Sequence, residues 1–171
     1  MMLRVREGGS RCRLMGRVLS LKDLAEWRRA EKTAGRRVVA TIVCFDILLV
    51  GHVRFLQEAR ALGDRLVVGL NGDASVRELK GTGRPVNPES DRAEVLAALG
   101  CVDAVVVFPE KRATRFLEAA QPDIYVKGGD YRPEDLDADE QAAVKKAGGQ
   151  VKVLKLTPGK STSSVLAKIK T

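Results

Sequence analysis

The sequence predicts an α/β protein built on a five-stranded parallel sheet with helices on both faces. Short apolar runs rich in Val, Ile and Leu alternate along the chain with amphipathic segments of helical period. This alternation is typical of parallel strands joined by crossover helices. The 171 residues are 44% hydrophobic, which suits one domain with a sizeable core.

The elements are predicted in a regular order. Residues 1–15 lack a hydrophobic period, so we expect a flexible basic tail ahead of a domain over residues 16–171. Ser20 and Asp23 have the spacing of a capping box, which predicts a helix to about Lys32. The next elements are the strand RRVVATIVCF, the helix GHVRFLQEARAL, the strand DRLVVGLN, the helix PESDRAEVLAALG, the strand CVDAVVVF, the helix ATRFLEAA, the strand DIYVKGGD, the helix LDADEQAAVKKAGG, the strand QVKVLKL and the helix STSSVLAKIK.

The net charge and the cysteine content limit the classes of partner and the cellular setting to consider. The net charge of +8 fits an acidic partner, either a nucleic acid or a phosphorylated small molecule. No aromatic residue lies among the first 20, which weakens a base-stacking surface and favours the small molecule. Three widely spaced cysteines and one histidine argue against a zinc site and for a reducing, cytoplasmic setting. The most apolar segment, residues 38–50, is too short to span a membrane.

Ligands of parallel sheets bind beyond the carboxyl ends of the strands, so residues that follow each strand are the candidates. Gly51 and His52 begin one helix, and Ser161 and Thr162 begin the last one. Free backbone N–H groups and the helix dipole favour phosphate at such positions. These two helix starts therefore predict an anion site.

Cations converge on the same edge of the predicted sheet. Lys127 and Gly128 end a strand just before Asp130, and Lys80 lies in a glycine-rich loop. Arg92 lies early in a helix, where it either contacts a ligand or pairs with Glu89 three residues earlier. No nucleophile–base pair appears among the candidate residues. Catalysis would therefore depend on positioning and charge stabilisation, as in nucleotidyl transfer from a triphosphate.

Several motifs resemble one known family. TIVCFDILLVGH is similar to the first motif of the cytidylyltransferase-like nucleotidyltransferases, Thr-Asn-Gly-Cys-Phe-Asp-(Ile/Leu)-Leu-His-x-Gly-His, and GKSTSS is similar to their last motif. The stretches LKGTGRPVNPESDRAEVLAALGCVDAVVVF and PDIYVKGGDYRPEDL most resemble the adenylyltransferase domain of the ADP-heptose synthase family. The resemblance runs from about Gly16 to Lys170.

This resemblance implies a Rossmann-like nucleotidyltransferase fold and transfer of AMP from ATP to heptose 1-phosphate, with release of pyrophosphate. ATP or CTP would be the nucleotide, Mg²⁺ would accompany the triphosphate, and glycerol 3-phosphate is the alternative acceptor. A homodimer and a separate sugar kinase are the protein partners to consider. The resemblance implies catalytic roles for His52 and Lys127. It implies nucleotide-binding roles for Phe45, Asp46, Gly51, His52, Lys80, Arg92, Gly128, Asp130, Ser161 and Thr162.

The chain departs from the family pattern inside the first motif. Leu49 stands where the first motif histidine is expected, and Val43 stands where a glycine is expected. Losing a donor aimed at developing charge typically costs on the order of 10²–10³ in rate. The alternative function is therefore a nucleotide-binding relative with weak or no turnover.

Overall fold

The computed structural model describes residues 16–129 and 137–155. Over these residues the chain forms one six-stranded sheet, in which every neighbouring pair is parallel and the order is β1-β4-β3-β2-β5-β6. The strands are β1 (Arg17–Leu19), β2 (Val38–Val43), β3 (Arg65–Asn71), β4 (Ala104–Phe108), β5 (Ile124–Gly128) and β6 (Gln150–Leu154). The helices are α1 (Leu21–Thr33), α2 (Val50–Arg60), α3 (Asp73–Lys80), α4 (Glu89–Ala97), α5 (Thr114–Ala120) and α6 (Ala138–Lys146).

The α/β class and the parallel sheet are confirmed, but the predicted count of five strands is wrong. The sixth strand is β1, which pairs with β4 at the edge of the sheet. It has three residues, and two of them are exposed. A segment this short carries no readable hydrophobic alternation, so only its pairing with β4 defines it.

Helices cover both faces because each strand directs alternate side chains to opposite sides. One face packs under α2 and α4, where Phe55, Leu56 and Leu96 join the core. The other face packs under α1, α5 and α6, where Leu24 and Phe116 are fully buried. No described helix combines the length and the apolar composition needed to cross a membrane.

The helix predicted at Ser20 begins there, because the Ser20 hydroxyl accepts a hydrogen bond from the Asp23 N–H at 3.1 Å. Helix α3 was not predicted. The glycine-rich loop that was expected to contain Lys80 starts one residue later, since Lys80 is the last residue of α3. The tail over residues 1–15 and the predicted helix STSSVLAKIK lie outside the described residues.

The strand order fixes where a ligand would bind. From central β2 the chain adds β3 and then β4 on one side, and it returns to place β5 on the other side of β2. The connections therefore diverge between the carboxyl ends of β2 and β5, which opens a crevice at that point. Predicted site residues follow β2, at Phe45 and Asp46, and end β5, at Lys127 and Gly128.

Candidate active site

The segment between β2 and α2 forms one wall of this crevice. Phe45 has a φ of 42°, in the left-handed region that side chains rarely adopt, and it is almost completely buried. Its ring meets the His52 ring edge to face, with 5.3 Å between centroids. The tight turn at Phe45 thus places an aromatic ring against the histidine at the start of α2.

His52 is oriented by the backbone of Leu49. The Leu49 N–H donates to His52 Nδ1 at 3.0 Å, so the neutral imidazole carries its proton on Nε2. Burial lowers the pKa of His52, and the positive charge of Lys80 lowers it further. The ring is therefore neutral at pH 7 and offers an Nε2–H donor.

Leu49 is the N-cap residue of α2, but its side chain has no group that can accept a hydrogen bond. Its carbonyl accepts the His52 N–H at 2.9 Å, so the cap is made by backbone and by the His52 ring alone. Gly51 lies buried in the first turn of the helix. The positive end of the α2 dipole and the His52 donor are thus adjacent, which favours a phosphate.

Asp46 is 1% exposed and is engaged within the chain. Its carboxylate forms an ion pair with Arg84 and accepts the Val86 N–H at 2.6 Å, while its carbonyl accepts from Asn87 Nδ2 at 2.9 Å. Burial raises the pKa of the Asp46 carboxyl, but the Val86 hydrogen bond and Arg84 outweigh it, and the net pKa is lowered. The charged carboxylate therefore fastens the segment before α4 to the end of β2, and its contact with a substrate or Mg²⁺ stays a prediction.

Arg92 is 3% exposed and makes four hydrogen bonds. It donates to the carbonyls of Cys44, Asn71 and Asn87 at 2.6, 3.0 and 3.0 Å. It also donates to Asp73 at 2.7 Å. This geometry favours a positioning role for Arg92, since the guanidinium ties the ends of β2 and β3 to the starts of α3 and α4.

The alternative pairing of Arg92 with Glu89 is wrong. Glu89 instead accepts the Asp73 N–H at 2.7 Å and caps the first turn of α3. The Asp73 carboxylate forms the ion pair with Arg92, at 2.7 Å. The ion-pair partner of Arg92 is therefore Asp73, which is distant in sequence, and not Glu89, which helical spacing suggested.

Lys80 is exposed at the end of α3, and its charge acts on three groups of the site. It lowers the pKa values of His52 and Asp46 and opposes the rise at Cys44. Burial is the larger influence on Cys44 and raises the pKa of its thiol, so a nucleophilic thiolate is disfavoured. Lys80 therefore supplies positive potential to the crevice.

Lys127 lies near the end of β5, and Gly128 is the last residue of that strand. The Lys127 Nζ lies 3.1 Å from Glu140 Oε2 and 5.2 Å from the centroid of the Tyr125 ring. The structure thus brings His52, Lys80 and the β5 end to one edge of the sheet. Asp130, Ser161 and Thr162 lie outside the described residues.

Sequence reasoning missed Glu140, Asn87 and Asp73. Glu140 lies in the acidic first turn of α6, where a carboxylate is ordinary helix chemistry. Asn87 lies just before α4, and Asp73 is the first residue of α3. None of these positions carries a local sequence signal, because each acquires its role from a partner that is distant in sequence.

A cavity of about 240 Å³ lies beside the crevice, between Phe45, Leu48 and the start of α4. A larger one, of about 850 Å³, lies at the opposite edge of the sheet, where Glu31, Arg65 and Asp103 form ion pairs. The smaller cavity is the one at the carboxyl ends of the strands, so it is the better candidate for substrate binding.

A model of the cytidylyltransferase-like family matches residues 41–168. The chain belongs to this family. The range matched to the cytidylyltransferase-like family starts within β2, so β1 and α1 precede it. All the candidate site residues lie inside it, which confirms the resemblance drawn from the motifs.

Individual members of the cytidylyltransferase-like family are also similar. The bifunctional protein HldE of Geotalea uraniireducens is 51% identical over 155 residues, covering 91% of this chain and 31% of the relative. The HldE of Proteus mirabilis is 52% identical over 136 residues, covering 80% and 28%. The chain thus spans about a third of the length of these relatives.

A solved structure supports the same fold. The lipopolysaccharide core biosynthesis protein from Thermoplasma volcanium GSS1 has a TM-score of 0.59 and 30% identity to this chain. The match covers 72% of this chain and 98% of that one. The Rossmann-like nucleotidyltransferase fold is therefore shared with a protein that aligns over almost its whole length.

Proposed function

We propose that this chain is an adenylyltransferase that transfers AMP from ATP to a sugar phosphate of the heptose 1-phosphate type. The observation that carries the proposal is the neutral His52, whose Nε2–H lies beside the N-terminus of α2 at the switch point of the sheet. Similarity to HldE over 91% of the chain supports the heptose acceptor.

The chemistry is an in-line displacement. A phosphate oxygen of the sugar phosphate attacks the α-phosphorus of ATP, and the bond to the leaving pyrophosphate breaks. His52 and the first turn of α2 would hold the triphosphate, while Lys80 and Lys127 would offset the charge that develops. The described residues contain no group of three carboxylate, histidine or cysteine ligands, so Mg²⁺ would bind mainly through the triphosphate.

The test follows product formation with ATP and heptose 1-phosphate. We expect equimolar ADP-sugar and pyrophosphate, and a loss of at least about 100-fold in rate for His52→Ala. CTP and glycerol 3-phosphate, each replacing one substrate, separate the adenylyl- from the cytidylyltransferase. Preferential turnover of the CTP pair would refute the proposal.

Leu49 and Val43 favour a second candidate, a nucleotide-binding relative without turnover. Leucine at position 49 supplies no donor for a phosphate, and Val43 packs partly buried at the end of β2. ATP binding by calorimetry with no product under single-turnover conditions would establish this candidate.

The partners follow from the same proposal. The HldE relatives are bifunctional and three times as long as the match, so we assign their second activity to the part outside it. A sugar kinase activity would supply the sugar 1-phosphate. We further propose a cytoplasmic homodimer in which residues 1–15 form a tail, and sedimentation of the full chain tests the dimer.

A further inference from the structure

A second group of polar side chains lies beside the carboxyl end of β5. It consists of Tyr125, Lys127 and Glu140, which we call the β5–α6 cluster. Tyr125 and Lys127 are two residues apart on β5 and so point to the same face of the sheet. Glu140 reaches them from the first turn of α6 and is 7% exposed.

Glu140 is anchored independently of Lys127. One carboxylate oxygen accepts the Tyr125 hydroxyl at 3.0 Å, and the other accepts the Ala113 N–H at 3.4 Å. These two contacts fix the carboxylate between β5 and the start of α5. The anchored carboxylate therefore offers a defined position to a cation that would otherwise sample many rotamers.

The Lys127 ammonium occupies that position. It lies 3.1 Å from Glu140 Oε2, and the Tyr125 ring face lies 5.2 Å away from the same nitrogen. A carboxylate and an aromatic face both attract a cation, so the two groups restrict the ammonium from different directions. Lys127 belongs to β5, which is one of the two strands that flank the crevice.

We propose that Glu140 is a positioning residue, which holds the Lys127 ammonium at the carboxyl end of β5 for a phosphate group of the reaction. The inference rests on the proposed function and deepens it. A cation fixed before the reaction stabilises developing charge without reorganisation, so the loss of Glu140 slows the chemical step more than it weakens ATP binding.

Glu140→Gln tests the role because glutamine retains the shape and removes the charge. We expect the single-turnover rate of AMP transfer to fall about tenfold, with the Kd of ATP unchanged within about twofold. In a Lys127→Ala background the same substitution changes the rate less than about twofold, since the group through which it acts is gone. Glu118→Gln, an exposed glutamate of α5, is the matched control and keeps the wild-type rate.

Two outcomes of the rate measurements overturn the proposal. One is a Glu140→Gln rate within twofold of wild type. The other is an equal tenfold loss in the Lys127→Ala background, which would give Glu140 a purely structural role. If Glu140→Gln fails to fold, Tyr125→Phe replaces it, because it removes one anchor of Glu140 and should slow transfer about threefold only when Lys127 is present.

A readout without turnover separates this inference from the proposed function. The ¹³Cε signal of Lys127, assigned by its loss in Lys127→Ala, should move when ATP is added and move less in Glu140→Gln. A wild type that makes no ADP-sugar refutes the proposed function, and the Lys127 signal then tests the positioning role alone. A Lys127 signal that ATP leaves unmoved overturns the positioning role even if AMP is transferred.

Discussion

Replacing Arg92 should destabilise the whole carboxyl edge of the sheet. Arg92→Met fills the space but removes donors from three carbonyls and from the Asp73 carboxylate. Removing one partner of a buried ion pair costs about 3–5 kcal/mol. The Asp73 side chain is 34% exposed and recovers water, so we take the lower part of that range, about 3 kcal/mol.

For a chain of this size that loss corresponds to a fall in Tm of about 6–12 °C. Thermal and urea unfolding of Arg92→Met and Arg92→Lys measure it, with Arg54→Met, an exposed arginine of α2, as the control. Arg92→Lys should lose at least half as much, because an ammonium cannot reproduce the planar fork that reaches four acceptors. A Tm within 2 °C of wild type for Arg92→Lys would refute the conclusion that Arg92 ties the ends of β2 and β3 to the starts of α3 and α4.

Three further outcomes are expected. Leu49→His should raise the single-turnover rate of AMP transfer at least about tenfold. Adding Val43→Gly should raise the rate further but lower the stability, since Val43 packs on the core. An unchanged rate for Leu49→His would mean that another group takes the role of the missing histidine. The pKa of Asp46 is lowered in the fold, so its charge contributes stability that is complete above pH about 4 and is lost as the pH falls through the folded pKa. The difference in free energy of unfolding between wild type and Asp46→Asn should therefore shrink in acid and stay constant from about pH 5 to 8. Deleting residues 1–15 should leave the Tm within about 4 °C of that of the full chain, and a larger fall in a thermal scan would contradict the tail assignment.

The fold was predictable because five of the six described strands lie in apolar runs of the sequence. The predicted runs contain β2 to β6, each five to seven residues long and separated by helices with capping or glycine stops. What could not be predicted is the structure created by tertiary pairing. β1 is defined only by its hydrogen bonds to β4, and α3 buries little besides Ser75 and Val76.

For the candidate site, the edge of the sheet on which its residues lie was predictable from the sequence, but their hydrogen-bond partners were not. Strand ends located His52, Lys80 and Lys127 at one edge of the sheet, because parallel strands align their carboxyl ends. The partners of Asp46 and Arg92 come from residues up to 48 positions away in sequence. Such pairs depend on how loops cross the sheet edge, which no local spacing encodes. The position of a charged residue after a strand therefore identified the region, while the structure shows which charged residues hold the region together.

The replacement of the first motif histidine leaves the second one in place for a physical reason. Both groups that orient His52 belong to the backbone of Leu49, its N–H at 3.0 Å from Nδ1 and its carbonyl at 2.9 Å from the His52 nitrogen. Any residue except proline supplies them, so the Nε2–H donor and the open end of α2 do not depend on the side chain at position 49. Ground-state binding of a triphosphate needs that donor and that dipole, whereas turnover also needs donors that strengthen as charge develops. On the proposed function, leucine at position 49 would lower the rate of AMP transfer and leave intact the geometry proposed to bind ATP. Its effect should then appear in the rate of AMP transfer and not in the Kd of ATP.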